Sequence, residues 1–263
     1  MVAAVLNFSA NLSLLFRELP LLERFAAARE AGFSAAEIQV PYEFPAAELA
    51  RAAREAGLPI VLINAPLGPD EAPGMACRRE HRAIFPAALA RAAQYAAELN
   101  TPNINVLAGR AAPHEHAACL EQLAEHLSLA AEVFAQVPAR ALLETVNPLD
   151  VPGYCVPSFE TAMQVLELAD PRVALQFDVY HAARLGHEPD VAFKAVQRRV
   201  AHVQFADCPG RHEPGTGTLR FERIFSAIER SDYEGWLGAE YHPSSERTAA
   251  TLGWLHARTR LLP

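Results

Sequence analysis

The chain has 263 residues and a formal net charge of −8 at pH 7, with 51% hydrophobic and 21% charged residues. This composition permits a large core and argues against an intrinsically disordered chain. It also argues against a protein that binds nucleic acid or an anionic membrane, because such surfaces need clustered Lys and Arg.

Apolar runs alternate with helix-period stretches through the first half of the chain. Predicted strands cover residues 4–8, 35–40, 60–64 and 103–107, and predicted helices cover residues 17–31, 46–56, 79–99 and 115–137. Gly32 and Gly57 follow the first two helices, at the position where glycine most often ends a helix. This half therefore predicts four strand–helix units.

The second half continues the same alternation. Predicted strands cover residues 140–144, 173–178, 202–206 and 236–240, and predicted helices cover residues 158–168, 191–199, 221–230 and 247–261. Ser158 is a typical helix N-cap. Strict alternation of strands and helices predicts a parallel sheet with right-handed crossovers. Eight such units in about 250 residues fit an α/β fold of the closed (β/α)8 TIM barrel type, with residues 1–263 as a single domain.

The last four predicted strands all carry oxygen-bearing side chains at their C-terminal ends. These residues are Glu144, Asp178, Gln204 and Glu240. In a barrel such ends converge on one mouth, where active sites are found. Three carboxylates and one amide oxygen form a hard ligand set, which suits Mg²⁺ or Mn²⁺ rather than zinc. A divalent cation would also relieve the repulsion that raises the pKa of clustered carboxyl groups.

Loops beyond these strands carry further polar candidates. His181 and Arg211 are predicted to bind substrate oxygens or a carboxylate, although a helix-capping histidine and a solvated arginine are the alternatives. Glu213 is expected to orient Arg211, and Asp150 is expected to bond a substrate hydroxyl. Residues 78–82 open a predicted helix, either as a solvated first turn or as an anion site for a substrate carboxylate.

Five segments, taken in chain order, resemble a known family. They are residues 8–16, 150–153, 176–181, 211–217 and 231–241. They resemble the hydroxypyruvate isomerase family, which belongs to the xylose-isomerase-like TIM barrels, and the resemblance covers nearly the whole chain. The last three segments are long enough to be specific.

The resemblance implies roles for the residues at the strand ends. Glu144 and Glu240 would be the acid/base pair, and the same two residues with Asp178 and Gln204 would bind the divalent ion. The implied reaction converts hydroxypyruvate to tartronate semialdehyde, or acts on a close 2-oxo acid such as 2-oxo-tetronate. Such chemistry moves a proton between adjacent carbons through an enediolate, whose charge a bound cation would stabilise.

The chain departs from that family at three places. His242 stands where a lysine is expected, Thr145 stands where a proline is usual, and the loop around residues 77–80 is shorter. Loss of the lysine removes a fixed positive charge from the mouth of the barrel. Arg79 or a protonated His242 is expected to replace that charge.

These departures leave several functions open. A ketose 3-epimerase or a keto-sugar dehydratase would use a similar site on an uncharged sugar. A non-catalytic barrel that binds a sugar acid is a third alternative, which the intact glutamate pair disfavours. A nuclease of the endonuclease IV type is disfavoured, because it needs several metal-binding histidines and a basic DNA surface.

The remaining sequence features predict the compartment of the protein and its partners. The four cysteines form no CxxC pair, which predicts reduced thiols in the cytoplasm. The first arginine is Arg17, so the basic start of a signal peptide is missing. No apolar run reaches the roughly 18 residues of a membrane span. We expect a small sugar-acid substrate, no nucleic-acid or membrane partner, and, by analogy alone, a homo-oligomer.

Overall fold

Eight parallel strands form the centre of the molecule in the computed structural model, which describes residues 6–69 and 73–259. The strands are β1 (Asn7–Asn11), β2 (Ala35–Ile38), β3 (Ile60–Asn64), β4 (Asn103–Asn105), β5 (Arg140–Glu144), β6 (Ala174–Asp178), β7 (Val200–Phe205) and β8 (Trp236–Ala239). Each strand pairs with the next one along the chain, and β8 pairs with β1, so the sheet closes. The predicted (β/α)8 barrel is confirmed.

Helices follow the strands and surround the barrel. They are α1 (Leu21–Glu30), α2 (Ala46–Ala56), α3 (Phe85–Leu99), α4 (His116–Phe134), α5 (Phe159–Leu168), α6 (Val179–Arg184), α7 (Pro189–Val196), α8 (Phe221–Glu229) and α9 (Gly253–Thr259). The predicted N-cap of α5 is confirmed, because Ser158 Oγ accepts the backbone N–H of Thr161 at 3.2 Å. None of the helices in the described part of the chain is long and apolar enough to cross a membrane.

The first strand lies further along the chain than its apolar pattern predicts. The predicted strand 4–8 falls partly outside the described residues, and β1 continues through Ser9 to Asn11. The side chains of Ser9 and Asn11 donate hydrogen bonds to the Glu37 carboxylate inside the barrel. The prediction ended the strand too early, because hydrophobic periodicity depends on apolar residues and the barrel interior is polar here.

Three helical predictions are corrected. The predicted helix 79–99 begins only at Phe85, and Arg79–His81 form a separate 3₁₀ turn before it. The short helix α6, which contains His181, was expected to be a loop. The predicted helix 247–261 is a 3₁₀ turn, Thr248–Thr251, followed by α9, and residues 260 and 261 lie outside the described part.

An aromatic cluster joins the start of the barrel to its last two helices. Phe8 on β1 makes edge contacts with Phe205 on β7, Phe225 on α8 and Trp254 on α9, with ring centroids 5.3–6.0 Å apart. Aromatic pairs in this geometry each contribute about 0.5–1.5 kcal/mol beyond their buried area. The cluster therefore fixes the end of the chain against the strands that close the barrel.

The barrel interior contains a polar layer centred on Glu37 of β2. The fully buried Glu37 carboxylate lies 2.8 Å from His202 Nε2 and accepts a 2.8 Å hydrogen bond from Gln204 Nε2. Gly238 of β8 makes room for it, since a Cβ there would overlap the Glu37 carboxylate. This layer ties Gln204, one of the predicted site residues, to the opposite side of the barrel.

Candidate active site

The ends of β5, β6 and β8 bring three predicted carboxylates to one mouth. Glu144 and Asp178 are the last residues of their strands, and Glu240 directly follows β8. Their exposed fractions are only 5%, 2% and 5%. Asp178 also caps α6, because its Oδ1 accepts the backbone N–H groups of Tyr180 and His181 at 2.6 and 3.1 Å. The cap fixes the direction of the remaining Asp178 oxygen.

Glu144 is held from the side of β4. Its Oε2 accepts a 2.7 Å hydrogen bond from Asn105 Nδ2. Burial raises the pKa of Glu144 well above its ordinary value, and repulsion by Glu240 and Asp178 raises it further. Glu144 is therefore a carboxyl group that binds a proton readily when no cation is present.

Glu240 is held from two sides. Gln39 Nε2 donates to its Oε1 at 2.7 Å, and Arg211 Nη2 donates to its Oε2. Burial raises the pKa of Glu240, while the charge of Arg211 opposes the rise. Burial by itself would lower the pKa of the Arg211 guanidinium, but the combined attraction of Glu240, Asp178 and Glu144 raises it. The charge of the arginine thus favours the ionised form of Glu240.

Arg211 lies in a rigid loop after β7. Its backbone has a left-handed φ of 55°, and its N–H donates to Asp207 O at 2.9 Å. The Asp207 carboxylate accepts four further backbone N–H groups of the same loop, those of Cys208, Gly215, Gly217 and Leu219. The guanidinium lies over the Tyr180 ring, 5.0 Å from its centroid. These contacts place Arg211 in the mouth, as predicted.

His181 lies in the first turn of α6 and is 3% exposed. Its Nε2 is 3.9 Å from Glu144 Oε1 and 3.9 Å from Asp178 Oδ2. Burial, and then the charge of Arg211, lowers the pKa of His181 to about 3. The imidazole is therefore neutral at pH 7 and directly faces two of the carboxylates.

Gln204 of β7 is hydrogen-bonded at both ends of its amide. Its Nε2 donates to Glu37 Oε2 at 2.8 Å, and its Oε1 accepts from Gln176 Nε2 at 2.6 Å. A carbonyl oxygen has two lone pairs, so one lone pair of Gln204 Oε1 is left for another partner. Its role as a cation ligand stays a prediction.

The other predicted substrate residues lie in different surroundings. Asp150 is exposed, and its Oδ2 accepts a hydrogen bond from Asn147 Nδ2 at 3.0 Å. The Glu213 carboxylate accepts from the Ser244 backbone at 3.1 Å and from the Ser244 hydroxyl, so the expected orientation of Arg211 by Glu213 is corrected. The carboxylate that contacts Arg211 is instead Glu240.

Neither residue that was expected to replace the charge of the missing lysine lies in the expected surroundings. Arg79 is exposed in the 3₁₀ turn before α3. Because α3 begins only at Phe85, residues 78–82 do not form the expected anion site at its N-terminus. His242 lies beside Arg211 at the rim, but burial and the Arg211 charge lower its pKa. A neutral His242 does not restore the positive charge.

Sequence reasoning missed three polar residues that hold the site together. Asn105 ends β4 and Gln39 directly follows β2, but the predicted strands, 103–107 and 35–40, extended past both residues and hid their position at the strand ends. Glu37 was hidden inside an otherwise apolar strand. Its only signal was a charged residue among buried alanines and isoleucine.

The arrangement fits a hard divalent cation. Within the described residues, one carboxylate oxygen each of Glu144 and Asp178 and one ring nitrogen of His181 lie within 4.8 Å of one another. Carboxylate oxygens are preferred by Mg²⁺ and Mn²⁺. A cation would also offset the burial and repulsion that raise the pKa of Glu144.

Comparison with known proteins identifies the family. The model of the xylose isomerase-like TIM barrel family matches residues 25–258. The chain belongs to this family. Among its relatives, a hydroxypyruvate isomerase of Escherichia coli (strain K12) is 34% identical over 95% of this chain and 98% of the relative. A 2-oxo-tetronate isomerase of Cupriavidus necator is 37% identical over 95% of this chain and 97% of the relative.

A solved structure shows the same barrel. The crystal structure of AP endonuclease, family 2, from Brucella melitensis has a TM-score of 0.91 and 34% identity, and the match covers 95% of this chain and 98% of that one. The predicted resemblance to the hydroxypyruvate isomerase family is therefore confirmed. This xylose isomerase-like barrel is an enzyme of the isomerase class, within the intramolecular oxidoreductases.

Proposed function

We propose that this barrel interconverts hydroxypyruvate and tartronate semialdehyde, or acts in the same way on a close 2-oxo acid such as 2-oxo-tetronate. The observation that carries the proposal is the pair of buried carboxyl groups, Glu144 and Glu240, at one mouth. Each has one oxygen hydrogen-bonded to a neutral amide, and Glu240 raises the pKa of Glu144. Relatives at 34–37% identity with isomerase names support the same reaction class.

The reaction requires one group that takes a proton and one that returns it. The proton leaves the hydroxyl-bearing carbon, and the electron pair forms an enediolate. A proton then reaches the former carbonyl carbon, and the hydroxyl proton passes to the former carbonyl oxygen, so that the carbonyl and the hydroxyl exchange places. Carboxyl groups whose pKa is raised towards neutrality are suited to both steps. We assign Glu240 as the base, because Arg211 favours its ionised form, and Glu144 as the group that returns the proton.

Glu144, Asp178, Gln204 and Glu240 would hold a Mg²⁺ or Mn²⁺ ion, which supplies electrostatic stabilisation of negative charge on the substrate oxygens. His181 would donate a hydrogen bond to one of those oxygens from its position between Glu144 and Asp178. Arg211 would contact the substrate carboxylate from the rim. Asp150 would accept a hydrogen bond from a substrate hydroxyl.

The test is proton exchange followed by NMR. The Mg²⁺- or Mn²⁺-loaded protein is incubated in D₂O with hydroxypyruvate, with 2-oxo-tetronate and with common ketoses. We expect deuterium next to the carbonyl, and isomer formation, with one of the two acids. No exchange with any of these compounds, despite a bound cation, would contradict the proposed chemistry.

A second function, a ketose 3-epimerase, is favoured by the neutral His242 at the rim. Without the positive charge of a lysine, the mouth is less selective for a carboxylate. Exchange with neutral ketoses and not with either acid would establish this alternative. Loss of water from a keto-sugar would indicate the dehydratase, and affinity for a sugar acid without turnover would indicate a binding protein.

A further inference from the structure

The side chain of Asn147 has a fixed orientation in the turn after β5. It is fully buried, and its Oδ1 accepts the backbone N–H of Leu149 at 3.1 Å and of Asp150 at 2.9 Å. A backbone N–H can only donate, so the atom that faces both of them must be the amide oxygen. The amide nitrogen therefore points to the other side.

On that side, the Asn147 amide nitrogen meets the ring of His181. The distance from Asn147 Nδ2 to His181 Nδ1 is 2.7 Å, and the same nitrogen donates to Asp150 Oδ2 at 3.0 Å. The backbone N–H of Asn147 also points at His181 Nδ1, at 3.4 Å. Two donors converge on Nδ1, so this atom accepts and carries no hydrogen.

A neutral imidazole without a proton on Nδ1 carries its proton on Nε2. That atom faces the mouth of the barrel, 3.9 Å from both Glu144 Oε1 and Asp178 Oδ2. A separation of 3.9 Å is beyond hydrogen-bond length, so neither carboxylate takes the N–H. A protonated ring nitrogen also has no lone pair for a cation. His181 thus presents a donor to the site.

We propose that Asn147 is a positioning residue that holds His181 in the Nε2–H tautomer and so makes it a neutral hydrogen-bond donor to the substrate rather than a cation ligand. The catalytic consequence rests on the proposed isomerase function, whereas the tautomer does not. A neutral N–H donor can stabilise the negative oxygen of an enediolate. His181 then has a role distinct from that of the carboxylates beside it.

The tautomer can be measured directly in the unaltered protein. Histidine is labelled with ¹⁵N, and the His181 resonances are identified by their loss in His181→Asn. We expect the nitrogen shifts of a protonated Nε2 and an unprotonated Nδ1, without substrate or added cation. A proton on Nδ1, or on both nitrogens, would overturn the inference.

Two variants test whether Asn147 is the cause. Asn147→Asp keeps an oxygen for the Leu149 and Asp150 N–H groups but replaces the donor to His181 by an acceptor, so the proton should move to Nδ1. Asp150→Asn is the matched control, because it changes the other partner of the Asn147 amide and should leave the tautomer unchanged. If Asn147→Asp does not fold, Asn147→Ala, which has no side-chain donor, replaces it.

Kinetics separate the positioning role from the proposed function. In Asn147→Asp we expect kcat to fall about 100-fold, as when one transition-state donor is lost, with a much smaller change in KM. An unchanged tautomer or an unchanged kcat in an active enzyme would overturn the inference. Suppose instead that the tautomer switches in Asn147→Asp while even the unaltered protein isomerises no sugar acid. That result would show that Asn147 sets the tautomer of His181 and that the proposed function is wrong.

Discussion

Arg211 and Glu240 form an ion pair at the mouth of the barrel, in which Arg211 Nη2 donates to Glu240 Oε2. The two residues come from the loops after β7 and β8, and Gln39 holds the other oxygen of Glu240 at 2.7 Å. The charge of Arg211 opposes the burial that raises the pKa of Glu240. The protonation of the proposed base thus depends on an arginine 29 residues away in sequence.

Removal of that arginine is expected to shift the pH dependence of activity. In Arg211→Gln, burial and repulsion by Asp178 act on Glu240 without the opposing charge of Arg211, so the pKa of Glu240 rises and less of it is ionised at pH 7. The acid limb of the kcat/KM profile should therefore move to higher pH. Arg172→Gln, which breaks an ion pair with Asp170 before β6, is the control. An unmoved limb, or one that moves to lower pH, would contradict the assignment.

The buried carboxyls are expected to make stability depend on pH when cations are removed. The pKa of Glu144 in the folded protein is raised well above its ordinary value of 4.5. The native state therefore binds more protons than the unfolded state, and its stability falls as pH rises through the folded pKa. In chelator, Tm should fall from pH 5 to pH 8, and Glu144→Gln should flatten that slope.

The exposed Glu121 on α4 provides the matched control for that experiment, since Glu121→Gln should leave the slope unchanged. Added Mg²⁺ or Mn²⁺ should raise Tm at pH 8. At 100 times its Kd, the cation should add about 2.7 kcal/mol to the free energy of unfolding. The explanation is wrong if Glu144→Gln lowers Tm at pH 8 or leaves the slope unaltered.

Gly238→Ala is expected to destabilise the barrel from its interior. The new Cβ would overlap the Glu37 carboxylate, which is held by His202 and Gln204 and has little room to move. We expect a loss of about 1–3 kcal/mol in the free energy of unfolding, measured in urea. Gly253→Ala is the control, because a Cβ there meets nothing within 4 Å. Equal stability of the two variants would contradict the close contact.

Three of the four cysteines should resist modification in the folded protein. Cys77, Cys119 and Cys155 are buried, and the Cys77 thiol is hydrogen-bonded to the other two. The Cys155 hydrogen bond and burial raise the pKa of Cys77, which disfavours the reactive thiolate. A thiol reagent should label only the partly exposed Cys208 quickly and all four cysteines in urea. Rapid native labelling of Cys77 would contradict this packing.

The sequence predicted the elements whose pattern is local. The apolar runs before Glu144, Asp178 and Glu240 marked strands, and the closed barrel then placed these strand ends together. The residues that hold them were less visible. Glu37 and His202 are 165 residues apart in sequence. Only the closed barrel brings them together and shows which partner allows a glutamate to be buried in the interior.

The same limit applies to the thiols and to the histidine of the site. Cys77, Cys119 and Cys155 are dispersed in sequence and meet only after the loops beyond β3 and β5 pack on α4. His181 was placed in a loop, because the six-residue helix α6 is too short to show helical periodicity. The hydrogen bond from Asn147 that orients its ring depends on a turn geometry that sequence patterns do not specify.

The measurement that most directly tests the central claim is solvent deuterium exchange in glutamate variants. With Mg²⁺ or Mn²⁺ present and hydroxypyruvate or 2-oxo-tetronate as substrate, the unaltered protein should incorporate deuterium next to the carbonyl. Glu240→Gln should lower the exchange rate by orders of magnitude while circular dichroism shows an intact fold, and Glu144→Gln should lower isomer formation similarly. Exchange at nearly the unaltered rate in Glu240→Gln would contradict the claim that this carboxylate removes the proton.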